Sequence, residues 1–266
     1  MLHTFFNLIL LAWAFAFLLM TVIWLISVRI SNAGIVDIAW SYGFAPVALI
    51  CACCGNGYAP RRWLMLAMVA LWSLRLGTYL YFRVMSHHPK EDQRYAQLRV
   101  EWGAKAERKM FGFFQLQAVL LVLLSVPFLI VCLNDAPQFN GFEFIGAALW
   151  FVAVAGESLA DYQLKQFKKN PTNKGEVCQA GLWHYSRHPN YFFEWLIWVA
   201  FWIFALGSPL GCATIYCPAL MLYFLLRVTG IPMTEELAVK TKGEKYRAYQ
   251  RTTSSFVPWF PKTNDR

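Results

Sequence analysis

Long apolar runs are the feature that most constrains this chain. Seven stretches nearly free of charge are long enough to cross about 30 Å of hydrocarbon, at 5–28, 34–54, 63–83, 112–133, 141–164, 191–207 and 211–229. Lipid cannot hydrogen-bond the backbone, so only helices and closed barrels, which pair their backbone polar groups within the protein, span it. Continuous apolar runs indicate helices rather than barrel strands. Only 15% of the residues are charged, against about a quarter in soluble domains. The sequence therefore predicts an all-α, polytopic membrane protein with seven transmembrane helices.

The basic residues predict how these helices are oriented. Of the 24 Lys and Arg residues, seven lie in 83–109, five in 165–187 and seven in 240–266. Seven spans put these three regions on one side, which the positive-inside rule makes cytoplasmic. The N-terminus is then expected outside and the C-terminus in the cytoplasm, with Arg61 and Arg62 alone on the unexpected side. The formal charge of +9 is explained by topology, and no nucleic-acid partner is expected.

Ionisable residues inside or at the edges of the spans indicate a cavity. Such residues are costly in lipid and tend to face a cavity or one another. On the predicted topology all of them except Glu143 fall in the cytoplasmic half, which favours a polar cavity open to the cytoplasm over a path across the membrane. The set comprises Asp37, Arg75, Glu143, Glu157, Asp161, Glu194 and Arg227. The seven cysteines have no paired CxxC or Cys/His zinc spacing, so no metal site is expected.

The stretch "WHYSRHPNYFFEW" joins a polar run to an apolar helix at Pro189. Proline is tolerated in the first turn of a helix, and a helix N-terminus suits anionic groups. Arg187 adds a cation with several donors, whereas Glu194 suits an amide or a ribose hydroxyl. An interfacial aromatic and basic anchor is the alternative interpretation of this stretch. The candidate ligand residues are Tyr185, Arg187, His188, Asn190, Tyr191 and Glu194.

Basic residues between the third and fourth spans extend the predicted cavity. Arg75, Tyr79 and Arg83 recur every four residues and so share one helix face. Arg94 and Arg99 follow in the next loop. Together they suit a multiply phosphorylated cofactor, although a solvated basic loop would explain the last two equally well.

Three further candidates lie in the second half of the chain. Asp161 would bind a polar ligand, and Lys168 a phosphate, from the end of the fifth span. A snorkelling helix end is the alternative there. Glu235, one residue before Glu236, belongs either to a lid over the cavity or to an ordinary helix start, where a carboxylate is favourable.

The same stretches resemble a known family. "GLWHYSRHPNYFFEW" and "EKYRAYQRTTSSFVPWFP" resemble the C-terminal domain of the steroid 5-alpha-reductase family (the 3-oxo-5-alpha-steroid 4-dehydrogenase type). "VDIAWSYGF", "LWSLRLGTYLYFR" and "DQRYAQLR" resemble typical runs of its bacterial branch. The likeness covers roughly residues 30–262.

This resemblance implies an NADPH-dependent oxidoreductase of the bacterial inner membrane, which we expect to be monomeric. It would reduce the 4,5 double bond of a 3-oxo-4-ene steroid, or a similar enone lipid, by hydride transfer to the beta carbon. Residues 1–266 would form one reductase domain. The N-terminal helices, in residues 1–133, would lie on the substrate side, and the family's C-terminal domain, residues 141–266, on the cofactor side. Asn190 and Glu194 match the family residues that hold the nicotinamide. Asp161 and Lys168 match two further positions of the family. One turn before the position of Asp161 the family has an Asn, where this chain has Glu157.

The resemblance leaves the proton donor open. Eukaryotic members use a Gln–Glu pair in the second helix and a Tyr in the third. In this chain the second helix carries Asp37 and Tyr42, which are the candidate catalytic residues. Asp37 would act as an acid with a raised pKa, as burial produces, or would orient Tyr42.

Two other functions are considered. Isoprenylcysteine carboxyl methyltransferases share a similar RHP-x-Y turn and a later Glu pair, and bind S-adenosylmethionine. The basic loops favour NADPH, which has three phosphates, over S-adenosylmethionine, which has none. A non-catalytic lipid-binding or transport protein is the third alternative.

Overall fold

The computed structural model describes residues 2–86 and 89–262, and all regular structure within these ranges is helical. The α-helices there are α1 (Leu2–Ile30), α2 (Ile35–Cys54), α3 (Ala59–Met85), α4 (Gln93–Trp102), α5 (Ala106–Cys132), α6 (Gly141–Lys169), α7 (Leu182–Tyr185), α8 (Pro189–Ala205), α9 (Tyr216–Tyr223), α10 (Ile231–Lys242) and α11 (Glu244–Thr252). A π-helical turn, Phe224–Val228, joins α9 to α10. The predicted all-α class is confirmed.

Six helical segments of the described ranges are long and apolar enough to cross a membrane: Leu2–Ile30, Ile35–Cys54, Ala59–Met85, Gln93–Cys132, Gly141–Lys169 and Gly211–Lys242. The remaining predicted span corresponds to α8, which has 17 residues. At 1.5 Å per residue this helix is about 26 Å long, slightly less than the hydrocarbon thickness. The chain is a multi-pass helical membrane protein, and the count of seven stays a prediction.

The chain divides into two compact units, residues 1–140 with 205–214 and residues 141–204 with 215–266. In the first unit α2 packs against α1, α3 and α5. A fully buried aromatic cluster forms around Phe44, whose ring centroid lies 5.2 Å from that of Trp72 and 6.5 Å from that of Phe128. Close helix approach depends on small residues, as is common in membranes.

The glycine at position 77 illustrates this close packing. A Cβ atom built on Gly77 would lie 2.6 Å from the ring of Tyr42. The Tyr42 ring therefore lies directly against the α3 backbone, and only glycine leaves room for it there.

Arg61 and Arg62, which conflict with the charge rule, have structural partners. Arg61 is fully buried, and its guanidinium donates to three backbone carbonyls after α5: Asn134 (2.9 Å), Ala136 (2.8 Å) and Gln138 (2.6 Å). Arg62 donates to the carbonyls of Ala52 (2.7 Å) and Gly55 (2.6 Å) at the end of α2. Because carbonyls at a helix C-terminus attract cations, both arginines stabilise the ends of helices and the loop after α5, and need not report topology.

In the second unit α6 and α8 approach closely. Cβ atoms built on Gly146 and Gly156 would lie 2.6 Å from the backbone nitrogen of Phe204 and 2.4 Å from the ring of Phe193. The indole of Trp183 in α7 donates to the carbonyl of Ala160 in α6 at 3.0 Å. These contacts pack α8 against α6 and fix the turn before α8 against the second half of α6.

Residues 253–262, called the C-terminal segment below, run back along the turn between α7 and α8. Backbone hydrogen bonds join Arg187 N to Ser254 O (2.8 Å) and Trp259 N to Tyr185 O (2.9 Å). Phe256 is buried in an apolar cluster with Leu225 and Ile231. The C-terminal segment is therefore an ordered part of the second unit.

Candidate functional site

The Arg-His-Pro-Asn turn forms the start of α8 in the second unit. Pro189 is the first helical residue, as the sequence predicted. The Ser186 hydroxyl accepts from the His188 backbone N–H at 3.1 Å and donates to Phe256 O at 2.8 Å. The imidazole of His188 stacks on the ring of Tyr191, with centroids 5.4 Å apart. These contacts hold the turn in one conformation.

Glu235 joins the turn to α10 and α11. Its carboxylate accepts from Arg187 Nε at 2.7 Å and from Gln250 Nε2 at 2.9 Å, and lies 3.2 Å from His188 Nε2. Arg187 also donates to the carbonyls of Gln250 and Thr253. Two predicted cofactor ligands, Arg187 and Glu235, therefore bind each other and the end of the chain.

Two tyrosines of α11 complete this network. Burial raises the pKa of Tyr249, whose hydroxyl donates to the carbonyls of Trp183 and Ser186. Burial and the nearby Glu235 carboxylate raise the pKa of Tyr246, so both phenols are protonated donors at neutral pH. Sequence reasoning missed these residues, although the three- and four-residue spacing of Tyr246, Tyr249 and Gln250 places them on one helix face.

The buried carboxylates of the second unit include three besides Glu143. Glu157 and Asp161 lie one turn apart on α6, and Glu194 lies in the second turn of α8. Asn190 Nδ2 donates to Asp161 Oδ1 at 3.3 Å, and the Trp198 indole donates to Glu194 Oε1 at 3.1 Å. Carboxylates buried in apolar helices are costly and usually serve a ligand or a proton path. Asp161, Asn190 and Glu194, called the amide site below, offer acceptors for a polar ligand.

The other predicted residues of the second unit are more peripheral. Lys168 lies in the last turn of α6. Tyr185 is exposed, and its carbonyl accepts from the C-terminal segment. The Tyr191 hydroxyl hydrogen-bonds the Thr234 hydroxyl at 3.1 Å.

Asp37 in the first unit binds helix α4. Its two carboxylate oxygens accept from Arg94 Nη2 at 2.7 Å and from the Tyr95 hydroxyl at 2.6 Å. Arg94 also pairs with Asp92, at 3.0 Å. Burial alone raises the pKa of the Asp92 carboxyl, but the hydrogen bond and charge of Arg94 outweigh it and leave that pKa lowered. Asp37 therefore fixes the connection between α3 and α5.

Other basic candidates of this unit also have acidic neighbours. Arg99 Nε lies 3.1 Å from Glu91, and Arg99 Nη1 pairs with Glu107. Arg83 lies 3.8 Å from Asp92. Arg75 and Tyr79 lie two turns and one turn before Arg83 on α3. A phosphate bound by Arg83, Arg94 or Arg99 would have to compete with these carboxylates.

Tyr42 borders an apolar groove in the same unit. Side chains of α1, α2 and α3, among them Leu19, Ile38 and Met85, enclose about 360 Å³. That volume lies in the range of small-molecule sites, about 300–1,000 Å³. The Tyr42 hydroxyl shares a hydrogen bond of 2.9 Å with Thr78 Oγ1. Tyr42 and Asp37 thus have different partners, and the phenol supplies a polar group at the groove.

Fold and site define a class: a multi-pass helical membrane protein with a buried carboxylate and amide cluster. The chain belongs to the family described as proteins of unknown function (DUF1295), whose model matches residues 23–253. That family includes membrane proteins similar to steroid 5-alpha-reductases.

Two relatives extend the comparison. An uncharacterized protein of Schizosaccharomyces pombe is 28% identical over 274 residues, covering 91% of this chain and 77% of its own length. A probable O-methyltransferase of Ustilaginoidea virens is 30% identical over 104 residues, covering 38% of this chain and 34% of its own length. No solved structure matches the chain.

Proposed function

We propose that this protein is an NADPH-dependent reductase of an enone lipid, such as a 3-oxo-4-ene steroid. The observation that carries the proposal is the amide site, because Asn190 contacts Asp161 there and Glu194 lies one helical turn further along an apolar helix. Membership of a family that includes steroid 5-alpha-reductase-like proteins supports it. NADPH supplies a hydride to the beta carbon of the enone, and a proton completes the saturated ketone at the alpha carbon.

The amide site suits the nicotinamide carboxamide. Since Asn190 Nδ2 donates to Asp161, the Asn190 oxygen points the other way and can accept one carboxamide N–H. Glu194, one helical turn further, can accept the second. Asp161 thereby positions Asn190. The two acceptors, Asn190 and Glu194, discriminate an amide from an apolar group.

Basic residues would bind the phosphates. Lys168 and the face formed by Arg75, Tyr79 and Arg83 are the first candidates. Arg94 and Arg99 would contribute by exchanging Asp92 and Glu91 for phosphate oxygens, which are strong acceptors for guanidinium groups. Another set would frame the site by holding the start of α8: Tyr185, Arg187, His188, Tyr191 and Glu235.

Tyr42 is the group we propose as the acid. It borders a groove that an apolar substrate can enter from lipid, and Thr78 aligns its hydroxyl. A donor aimed at the substrate carbonyl stabilises the charge that develops there during hydride transfer. Asp37 would act at a distance by fixing α4.

The distribution of basic residues supports the finer topology. We propose seven spans, including the short α8, with the N-terminus outside, the C-terminus in the cytoplasm and the cavity open to the cytoplasm of a bacterial inner membrane. Arg61 and Arg62 do not count against it because backbone carbonyls bind them.

A second candidate is an S-adenosylmethionine-dependent methyltransferase. Its support is the 30% identity with a probable O-methyltransferase over 104 residues. S-adenosylmethionine has no phosphate, so Arg94 and Arg99 would keep their carboxylate partners. The carboxylates of the amide site would then bind its amine and hydroxyl donors.

Thermal unfolding in detergent separates the candidates. A ligand at 100 times its Kd stabilises the folded state by about 2.7 kcal/mol, so the cofactor that raises the Tm identifies the reaction class. NADPH should do so, and S-adenosylmethionine should not. A shift with S-adenosylmethionine alone would establish the alternative, and no shift with either would favour a lipid-binding protein.

Variants of the amide site test the residues. Glu194→Gln should weaken NADPH binding about 10- to 150-fold, the equivalent of one hydrogen bond to a charged group, about 1.5–3 kcal/mol. Asn190→Ala should weaken it about 2- to 12-fold, the equivalent of one neutral hydrogen bond, about 0.5–1.5 kcal/mol. Glu176→Gln is the control because Glu176 pairs with Lys245 at the surface. Both amide-site variants binding NADPH as tightly as the parent would refute the assignment.

A further inference from the structure

The C-terminal segment displays large apolar side chains. Val257, Trp259 and Phe260 are 52%, 70% and 74% exposed. The exposed ring of Tyr185 lies beside them, its centroid 6.0 Å from that of Phe260. Together these four residues form an exposed surface, called the aromatic patch below.

The backbone behind the aromatic patch is held in place. Trp259 N donates to Tyr185 O at 2.9 Å, and Lys262 N donates to Thr252 O at 2.8 Å. On the other side of the patch Phe256 is buried, and its carbonyl accepts from Ser186 Oγ at 2.8 Å. The segment therefore turns one face toward the apolar cluster and leaves the side chains of the patch exposed on the other.

Chain connectivity places the aromatic patch at the start of an apolar helix. It is bonded to Tyr185, four residues before Pro189, where α8 begins. Within α8, Glu194 alone has a charged side chain. Groups beside the end of a lipid-embedded helix lie at the depth of the headgroups, where Trp and Tyr are enriched.

The charge near the aromatic patch fits the same surroundings. Residues 235–262 carry six Lys and Arg residues against three Glu residues. The excess is positive, and basic groups beside a bilayer are attracted to anionic lipid headgroups. A soluble protein partner would not require this combination next to a lipid-embedded helix.

We propose that the aromatic patch inserts into the headgroup boundary of the bilayer and so holds the C-terminal segment at the membrane surface. Since that segment also bonds to Ser186 and Arg187, lipid contact stabilises the turn that starts α8. The inference is independent of the proposed reaction, because it rests on exposure, backbone bonds and charge, together with the proposal that α8 lies in lipid.

Fluorine NMR on the full chain tests this. The protein carries 5-fluorotryptophan in lipid nanodiscs made of phosphatidylcholine and phosphatidylglycerol in equal parts. The resonance lost in Trp259→Phe belongs to Trp259. Two references are assigned in the same way: Trp13, exposed in the middle of α1, and the fully buried Trp198.

Line broadening by spin labels then reports the surroundings. A lipid labelled near its headgroup should broaden Trp259 at least twofold more than a lipid labelled at the chain end, or than a water-soluble gadolinium chelate. Trp13 should respond most to the chain-end label. Strongest broadening of Trp259 by the chelate would show water exposure and overturn the proposal. Resistance to all three probes, as expected of Trp198, would mean a protein surface or a second copy covers the patch, and would overturn it too.

Discussion

Glu235→Gln is the substitution that most directly tests how the candidate site is built. Glu235 accepts from Arg187 and Gln250 and lies within hydrogen-bonding distance of His188. Glutamine keeps the shape but removes the charge and replaces one acceptor oxygen by an NH₂ group. The Arg187 guanidinium then loses its charged partner. The turn before α8, α10 and α11 should all become less firmly joined.

The expected loss of stability follows from the bonds. A hydrogen bond to a charged group contributes about 1.5–3 kcal/mol, and a neutral one about 0.5–1.5 kcal/mol. Losing one charged bond and weakening the others gives about 3 kcal/mol. At about 2–4 °C per kcal/mol for a chain of this size, the Tm should fall by about 6–12 °C.

The neighbouring residue supplies the control. Glu236 is 66% exposed and pairs with Lys240 one turn away, so solvent screens the interaction and it adds little stability. Glu236→Gln should therefore lower the Tm by no more than about 2 °C.

The assay is thermal unfolding of both variants in detergent without any cofactor. If Glu235 were purely a cofactor ligand, Glu235→Gln would melt with the parent and differ only when NADPH is added. Equal Tm values for the two variants would refute the structural role.

Three further outcomes are expected. Gly77→Ala should displace the Tyr42 ring and lower turnover of an enone lipid at least tenfold, whereas the control Gly112→Ala, at a position with open space around it, should keep the turnover of the parent. Equal turnover in the two variants would refute the positioning of Tyr42. Because the pKa of Asp92 is lowered in the folded state, its carboxylate stabilises the fold at pH values above its ordinary pKa of about 4. The Tm should therefore fall as the pH drops through and below about 4, and should fall less in Asp92→Asn; identical pH profiles for the two proteins would contradict the Arg94 contact. Catalytic efficiency should be higher with NADPH than with NADH because the extra phosphate needs cations, and equal values would contradict the proposed basic site.

The sequence predicts the fold class well because one physical requirement, hydrogen bonding of the backbone within lipid, determines it. Apolar runs of membrane-spanning length leave the helix as the conformation that satisfies the backbone. Pro189 likewise identifies the first turn of α8, since proline loses no hydrogen bond there. The span count was harder to predict because α8, with 17 residues, is close to the minimum length.

The partners of individual side chains could not be predicted from the sequence. Arg94 and Arg99, which are predicted cofactor ligands, have carboxylate partners that the sequence does not show, because Asp37 and Glu91 lie 57 and eight residues away. For the same reason, the sequence does not show that Arg187, another predicted ligand, pairs with Glu235, which is 48 residues away. Local periodicity shows which residues share a helix face, but long-range ion pairs depend on packing.

The ion pairs of the first unit also sharpen the choice between cofactors. A guanidinium already bound to a carboxylate has much of its charge compensated, so a phosphate gains only the difference between two strong bonds. Binding at Arg94 would free Asp37 and Asp92, which then need new partners or water. Affinity for NADPH would therefore depend on how readily α4 can move, and a ligand without phosphate would leave α4 in place. Since α4 is joined to α2 through Asp37, phosphate binding at Arg94 in the reductase proposal would be accompanied by movement of α4, whereas the methyltransferase proposal involves no such movement.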